Sequence, residues 1–311
     1  MSNRTVWQTA FGGPENIEIV DADIPVPGPG EVRVRVAAAG LNPVDWKLAA
    51  YEQMAQAFRV SIPGGYGSDF AGVIDAIGEG VESWSVGDRV LGAARGRAIA
   101  EYTVTPVTKI VAVPDEVSLD VAATLDIAGR TAAAAVDALD LTADDAVLIG
   151  GAAGGVGVIA VQLAAATGAQ VIATASERNH DFLRELGAIP VTYGPGLADR
   201  VREATDRPVT AATDLQGTEA VEAAIELGVS PTRITAIAAG GASLPAGVIA
   251  TGGGNARPDA LTDIQRRIAD GTLRIEIAGA YPLEDTATAV ERLREGHVRG
   301  KLVIAVDPTL F

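Results

Sequence analysis

Short alternating segments fill the chain before Ser118. In Glu31–Ala37 a small apolar residue stands at every second position, which predicts a strand with one buried face. Ile17–Val20, Phe70–Ile77 and Glu101–Val104 are further predicted strands, and Val86–Val90 reads as a turn into another. Glycine and proline separate these segments. Short strands separated by glycine and proline predict an antiparallel barrel or sandwich.

From Ser118 the pattern changes to an alternation of helices and strands. An Ala-rich helix is predicted over Ser118–Leu139. The predicted elements that follow are strand Ala146–Ile149, helix Gly155–Thr167, strand Gln170–Thr174, helix Glu177–Leu186, strand Ile189–Tyr193, helix Leu197–Glu203, helix Thr218–Leu227 and strand Arg233–Ala238. Such alternation predicts a parallel sheet with crossover helices, the α/β Rossmann class.

The regular alternation of strands and helices ends near Pro258. The remaining predicted elements are helix Leu261–Ala269, strand Leu273–Ile277, helix Leu283–Glu295 and strand Leu302–Val306. This tail is too small for a domain, so we expect it to rejoin the N-terminal part. The predicted division is one domain from residues 1–121 with 258–311, and a second from residues 122–257.

Composition narrows the classes of partner and site. The net charge of −16 disfavours nucleic acid and anionic membranes. The chain has no cysteine and only two histidines, which excludes Cys-ligated zinc and a His-rich metal site. A carboxylate-only site for a hard cation stays open, but no Asp/Asn/Gly loop of the calcium-binding type is present, so we expect no metal. The N-terminus lacks the pattern of a signal peptide, and the apolar stretch Val147–Ala166 is broken by five glycines. We expect a cytoplasmic protein with no membrane partner.

The strongest motif is a glycine-rich turn between a predicted strand and helix, Gly151-Ala152-Ala153-Gly154-Gly155-Val156-Gly157. Gly151 permits the turn, and the small residues after it leave room for a pyrophosphate against the backbone. Gly157 lets the helix pack close to the strand. Backbone N–H groups at a helix start bind an anion without Lys or Arg, which suits an acidic protein. The turn predicts a dinucleotide site.

The end of the next strand favours NADPH over NADH. NAD-preferring sites place an acid there to bind the ribose hydroxyls, and the tip of Val171–Ala175 has none. Ser176 and Arg178 can bind a 2′-phosphate, whereas Glu177 between them counts mildly against this assignment. A helix N-cap is the alternative role of Ser176.

Several motifs in order, together with this turn, resemble the zinc-free quinone oxidoreductase (zeta-crystallin-like) branch of the medium-chain dehydrogenase/reductases. They are Leu41-Asn-Pro-Val-Asp45, Gly67-Ser-Asp-Phe-Ala-Gly72, Val86-Gly-Asp-Arg-Val90, Ala128-Gly-Arg-Thr-Ala132 and Gly296-His-Val-Arg-Gly-Lys301. The resemblance implies a GroES-like β-rich catalytic domain split around a Rossmann domain, with the active site in the cleft between them. It also implies hydride transfer from NADPH to a quinone or α,β-unsaturated carbonyl, in a homodimer or homotetramer.

The resemblance also bears on zinc. Alcohol dehydrogenases of this superfamily carry a Cys near the position of Asn42 and a His-Glu pair near Ser68 and Asp69, and this chain lacks them. A quinone or enone accepts hydride at carbon, so hydrogen-bond donors and a proton source replace the metal.

The candidate catalytic residues are Asn42, Asp45 and Tyr51. Asn42 matches a family position near the nicotinamide and the substrate carbonyl, with a turn residue before Pro43 as the alternative. Asp45 organises the loop or forms a buried ion pair. Tyr51 is the nearest hydroxyl donor, because Trp46 stands where the family often has a tyrosine.

The remaining candidates concern the cofactor. Thr131 matches a family threonine on the nicotinamide side of the cofactor; alternatively it is an ordinary hydroxyl residue at a helix start. Tyr193 matches a family tyrosine near the adenosine 2′-phosphate; alternatively it is an aromatic residue at a strand end. The backbone of the Gly/Ala-rich segment Ala236–Gly254 is expected to face the carboxamide of the nicotinamide. Within this segment only Thr251 and Gly252 are matched to family positions. Lys301 resembles the family's C-terminal Gly-Lys, with a structural role open. His180 and His297 are given no catalytic role.

The sequence leaves two other functions open. One is a non-catalytic NADPH-binding sensor or regulator on the same fold, which explains the absence of an obvious catalytic acid. The other is an enoyl reductase of a biosynthetic pathway, which differs from a quinone reductase only in its substrate.

Overall fold

A computed structural model describes residues 2–237 and 243–310. The chain divides into two compact units. The first runs to Ile127 and includes Leu261–Thr272 and the chain from Ile277 onward. The second comprises Ala128–Ala260 with Leu273–Glu276. In the described ranges no helix has the length and apolar character needed to cross a membrane.

The strands are numbered along the chain. They are β1 (Asn3–Gln8), β2 (Ile17–Ala22), β3 (Glu31–Leu41), β4 (Gly64–Gly65), β5 (Asp69–Ile77), β6 (Arg89–Ala93), β7 (Tyr102–Pro106), β8 (Ile110–Ala112), β9 (Ala146–Gly150), β10 (Gln170–Thr174), β11 (Ala188–Val191), β12 (Ala211–Asp214), β13 (Ile234–Ala236), β14 (Ile249–Ala250), β15 (Ile277–Pro282) and β16 (Lys301–Ala305).

The α-helices are numbered in the same way. They are α1 (Pro43–Ala50), α2 (Glu52–Ala57), α3 (Leu119–Ala122), α4 (Leu125–Asp137), α5 (Gly155–Ala165), α6 (His180–Glu185), α7 (Leu197–Ala204), α8 (Glu219–Glu226), α9 (Ala260–Ala269) and α10 (Thr286–Glu295).

The first unit is the GroES-like β-rich domain. Its larger sheet has the order β15-β16-β3-β5-β6-β8, with β7 also paired to β3, and only β15 and β16 run parallel to each other among the described pairs. β1 lies between β2 and β4 in a separate small sheet. The valines at alternate positions of β3 are fully buried, whereas Arg33 and Arg35 on the other face pair with Asp75 and Asp307.

The second unit is the Rossmann domain. Its sheet has the order β11-β10-β9-β12-β13-β14, and every pairing that the structure describes is parallel. β9 lies at the centre and all five of its residues are buried, as expected for a strand covered on both faces. The carboxyl ends of these strands therefore share one edge, where parallel sheets bind ligands.

Two predicted elements were wrong. The predicted helix over Ser118–Leu139 is two helices, α3 and α4, separated at Ala123–Thr124. The predicted strand Leu273–Ile277 is absent from the described structure, and the strand of this region, β15, begins at Ile277. The reason lies in Gln162, whose side-chain amide accepts a hydrogen bond from the N–H of Arg274 and donates one to its carbonyl. These backbone groups are therefore satisfied without a neighbouring strand.

Candidate active site

The glycine-rich turn joins β9 to α5 at the carboxyl edge of the Rossmann sheet. Gly151 has a φ of +70°, a left-handed conformation that glycine adopts without strain. Its N–H donates to the side-chain hydroxyl of Thr174 at 3.1 Å, and the N–H of Ala152 donates to the Thr174 carbonyl at 3.1 Å. The turn is thereby fixed to the end of β10.

The small residues of the turn fit a dinucleotide pyrophosphate. A Cβ on Gly157 would lie 2.3 Å from the Gly151 carbonyl oxygen, so only glycine lets α5 pack this close. Gly154 is the residue before α5. Within residues 2–237 and 243–310, the nearest atom to a Cβ here would be that same oxygen, at 3.4 Å, so the Cβ would extend into the space in front of the helix. The first N–H groups of α5, from Gly155 and Val156, have no acceptor within the helix. An anion here would be held by these groups.

Three of the predicted phosphate-side residues, Ser176, Arg178 and Tyr193, follow the carboxyl ends of two neighbouring strands, β10 and β11. β10 and β11 pair with Thr174 opposite Val191, and the Ala175 N–H donates to the Val191 carbonyl at 3.0 Å. This register brings Ser176 level with Tyr193, whose side chain is 48% exposed. Ser176 precedes a single 3-10 turn, Glu177–Asn179, that contains Arg178.

The nicotinamide-side candidates lie on α4 and on the segment after β14, which run side by side. The Thr251 N–H donates to the Ala236 carbonyl at 3.0 Å, which places Thr251 and Gly252 just past the end of β14. A Cβ on Gly253 would lie 3.4 Å from the hydroxyl of Thr131, so this segment passes directly beside α4. Residues 238–242 of the expected carboxamide-facing segment, including the predicted strand end at Ala238, lie outside the described residues.

The sequence reading missed Gln216. Its side chain lies against the turn, because a Cβ on Gly151 would be 3.1 Å from the Cβ of Gln216. Asp214 at the end of β12 fixes this loop by accepting from the N–H groups of Gln216 at 2.9 Å and Gly217 at 2.7 Å. Gln216 follows the carboxyl end of β12, a central strand of the parallel sheet, and residues at that position commonly contact the ligand. That position was the signal in the sequence that could have identified it.

A second group of polar residues lies in the GroES-like domain, and we call it the buried polar cluster: Asn42, Asp45, Ser68, Asp69 and Lys301. Each is no more than 5% exposed. Asp45, in the first turn of α1, accepts the Asn42 N–H at 2.9 Å and the Ser68 hydroxyl at 2.7 Å. Asp69 accepts from the Asn42 side-chain amide at 2.9 Å. The cluster thus joins the start of α1 to the start of β5.

Burial shifts the pKa values within the cluster. It raises the pKa of Asp45, although bonds from Ser68 and Asn42 oppose the rise. The pKa of Asp69 lies well above its usual value because of burial and the nearby negative charge of Asp126. Burial lowers the pKa of Lys301, and the charges of Asp69 and Asp45 oppose that change. All three directions reflect the cost of holding charge away from water.

Tyr51 and Trp46 lie at the surface end of this region. Tyr51 ends α1, is 57% exposed, and has its ring centroid 6.3 Å from that of Trp46. Trp46 is partly buried against the domain core, with Lys47 and Arg294 over its ring. A cavity with about 240 Å³ of empty space, part of it open to solvent, borders Asp45, Ser68 and Tyr66.

The residues of the cluster do not fit a zinc ion. Zinc binds thiolate, imidazole and carboxylate, whereas this cluster offers an amide, a hydroxyl and two carboxyls, with an ammonium donating to the amide oxygen. Of the two histidines, His180 belongs to the Rossmann unit and His297 is exposed after α10. In the described ranges no three His, Cys, Asp or Glu residues are grouped to hold a metal.

Comparison with known proteins identifies the family. Residues 28–115 match the alcohol dehydrogenase GroES-like domain family, and residues 97–304 match the zinc-binding dehydrogenase family. The chain belongs to the medium-chain dehydrogenase/reductase superfamily. Within it, the chain falls in the quinone oxidoreductase-like branch, as the sequence motifs predicted.

Individual relatives support this placement. The chain is 35% identical over 187 residues to a chloroplast envelope quinone oxidoreductase homolog of Arabidopsis thaliana, covering 57% of this chain and 56% of that protein. It is 35% identical over 172 residues to a trans-enoyl reductase of Aspergillus japonicus, covering 50% and 49%. The quinone oxidoreductase structure from Coxiella burnetii superimposes with a TM-score of 0.87 at 31% identity, over 99% of this chain and 100% of that one. The matched region spans about half the length of the first two curated relatives.

Proposed function

We propose that this chain is an NADPH-dependent reductase that transfers hydride to a quinone or an α,β-unsaturated carbonyl without a zinc ion. The observation that carries the proposal is the grouping of the turn, Ser176, Arg178 and Tyr193 at one sheet edge, in a family whose members bind nicotinamide cofactors. In this proposal residues 122–257 form the cofactor domain, and residues 1–121 with 258–311 form the catalytic domain.

The cofactor's phosphates are assigned to the turn and the strand ends. Backbone N–H groups of the segment 151–156 bind the pyrophosphate, and Ser176, Arg178 and Tyr193 surround the adenosine 2′-phosphate. Thr131, Thr251 and Gly252 hold the nicotinamide end. When bound, NADPH supplies the hydride.

The catalytic domain then provides orientation and a proton. Asn42 and Asp45 fix the start of α1 through their mutual hydrogen bonds. Tyr51 carries an exposed hydroxyl just beyond that helix and is our candidate proton source. Because a quinone or enone takes hydride at carbon, the negative charge that develops on its oxygen is met by hydrogen-bond donors and a proton.

A fluorescence titration tests the cofactor assignment. The three tryptophans supply an intrinsic signal for NADPH and NADH binding to the wild type, Arg178→Ala and a charge-matched control, Arg202→Ala. Loss of a charged contact to phosphate should weaken NADPH binding about 10-fold or more and leave NADH binding unchanged. An unchanged NADPH preference in Arg178→Ala would show that the 2′-phosphate assignment is wrong.

Turnover assays test the reaction and its alternatives. NADPH oxidation is followed with a panel of quinones, enones, enals and enoyl thioesters. A preference for enoyl thioesters would favour an enoyl reductase, an alternative raised by the fungal trans-enoyl reductase relative. Tight NADPH binding without turnover of any acceptor would favour the sensor or regulator instead. The assembly proposed from the family, a homodimer or homotetramer in the cytoplasm, is tested by light scattering and cell fractionation.

A further inference from the structure

Lys301 is a buried cation with fixed partners. It is the first residue of β16, and the residue as a whole is 4% exposed. β16 pairs with β3 so that Leu302 lies opposite Leu41. This pairing brings the Lys301 ammonium to the end of β3, where it donates to the Leu41 carbonyl at 2.8 Å and to the side-chain oxygen of Asn42.

These contacts determine which way the Asn42 amide points. An ammonium has no acceptor, so it can bond only to the amide oxygen. The amide nitrogen then faces Asp69, whose Oδ2 accepts from it at 2.9 Å and from the Ile127 N–H at 3.1 Å. With the ammonium gone, the amide oxygen and the Leu41 carbonyl would both lose a charged donor in a buried place.

The buried carboxyls of the cluster also require a nearby cation, and Lys301 supplies it. Two carboxyls, Asp45 and Asp69, are buried here, and the charge of Lys301 acts on both. A buried anion without a nearby cation is costly. The chain matches a family of zinc-binding dehydrogenases, yet its donor set does not suit zinc. The positive charge within the cluster comes from the protein's own side chain.

We propose that Lys301 is the built-in cation of the buried polar cluster and a positioning residue for the reductase: its ammonium orients the Asn42 amide and holds the start of α1 for catalysis. The catalytic half of this inference rests on the proposed function. The structural half, a cation site filled by the protein itself, does not.

Replacement by an external amine tests the structural half. Lys301→Ala removes three methylenes and the ammonium, the atoms of n-propylamine, and leaves the Leu41 carbonyl and the Asn42 amide oxygen facing the gap. In the protein without cofactor, n-propylammonium should raise the midpoint of thermal unfolding of Lys301→Ala in a saturable manner, as a ligand of the folded state does. It should not raise that of the wild type or of Lys301→Met, whose side chain fills the gap without charge.

Steady-state kinetics test the catalytic half. Lys301→Ala and Lys301→Met should lose about 10-fold or more in kcat for NADPH oxidation, while KM for NADPH changes less than about 3-fold. n-Propylamine should restore about 5-fold of the lost kcat in Lys301→Ala alone, and its effect should follow the protonated fraction as pH is varied. A residue that only fills space would show neither the split nor this pH dependence.

Three results would overturn the inference. In the first, 1-propanol, which has the shape of the amine without its charge, stabilises and reactivates Lys301→Ala equally well. In the second, Lys301→Met keeps the wild-type unfolding midpoint and kcat. If neither Lys301→Ala nor Lys301→Met folds, Lys301→Arg is the deciding variant. A folded Lys301→Arg supports the requirement for a positive charge. A Lys301→Arg that is as unfolded as the neutral variants is the third contrary result. If the wild type turns over no acceptor while the amine still stabilises Lys301→Ala, the cation site stands and the proposed reductase falls.

Discussion

Asp145 and Asp69 show how the surroundings of a carboxyl set its charge. Burial pushes both pKa values upward. At Asp145 burial is outweighed, because the carboxylate accepts from Thr210 at 2.7 Å, twice from Thr142 and from Arg233 at 2.6 Å, and its pKa falls to about 2. At Asp69 the nearby negative charge of Asp126 adds to the effect of burial. The hydrogen bonds to Asp145 outweigh its burial, whereas those that Asp69 accepts from Asn42 and Ile127 do not outweigh its burial and the charge of Asp126.

The Asp145 network predicts a specific acid sensitivity. The folded pKa of about 2 lies below the usual value of 3.8, so the ionised form stabilises the fold above about pH 4, and that stability is lost as pH falls toward 2. Asp145→Asn should lower the free energy of unfolding by about 1 to 2 kcal/mol at pH 7. The difference from wild type should shrink between pH 4 and pH 2. Urea unfolding at several pH values measures both effects.

Asp115→Asn is the matched control. Asp115 also pairs with an arginine, Arg89, but its side chain is 95% exposed. An exposed pair of this kind contributes about 0 to 1 kcal/mol, so its removal should change stability little. A loss at Asp145 that stays constant from pH 7 to pH 2 would contradict the role given to its ionisation.

At the residue scale the sequence reached only part of the cluster. Asn42 and Asp45 were recognisable because they stand in the motif Leu41-Asn-Pro-Val-Asp45, which resembles the family. The role of Lys301 was not, because its partner Asn42 lies 259 residues away and only the pairing of β16 with β3 brings them together. Non-local strand pairing of this kind leaves no local pattern in the sequence.

At the element scale, strongly patterned segments were predicted and weakly patterned ones were not. The buried run of β9, the glycine turn and the start of α5 were placed correctly, because apolar runs and glycines determine that structure locally. β1 and α1 were missed. The alternating run at residues 273–277 failed for a different reason: Gln162 satisfies the backbone that a strand partner would otherwise bind.

The turn between β9 and α5 yields a paired prediction on glycine. An alanine Cβ at residue 157 would lie 2.3 Å from the Gly151 carbonyl oxygen and 2.6 Å from the Ala152 carbonyl, so the helix must shift. Gly157→Ala should therefore cost about 1 to 3 kcal/mol of unfolding free energy and weaken NADPH binding. Urea unfolding and fluorescence titration give the two quantities.

Gly154→Ala separates packing from binding. Among the described residues its Cβ would have one neighbour, at 3.4 Å, and its φ of −79° suits alanine, so stability should stay within about 0.5 kcal/mol of wild type. NADPH affinity should nevertheless fall, because the methyl group would fill the space assigned to the pyrophosphate. Unchanged NADPH binding by Gly154→Ala would argue against the phosphate site at this turn.

At the scale of the whole molecule, charge is the dominant feature. Asp and Glu number 40 against 24 Lys and Arg, a net charge of −16. Compaction brings these like charges closer than they are in the unfolded chain, which destabilises the folded state. Added salt screens this repulsion within a Debye length of about 10 Å at 0.1 M. It also screens the exposed ion pairs, but each of those contributes only about 0 to 1 kcal/mol.

Net repulsion should therefore outweigh the lost ion pairs, and we expect the midpoint of thermal unfolding to rise as NaCl increases from about 0.01 to 0.3 M at pH 7. The rise should be steepest at the low end, where screening changes most. KCl at equal ionic strength should act alike, because screening depends on ionic strength and not on the identity of the ion. A midpoint that falls with salt would mean that the surface ion pairs, for example Arg266 with Asp263, dominate the electrostatic balance of the fold.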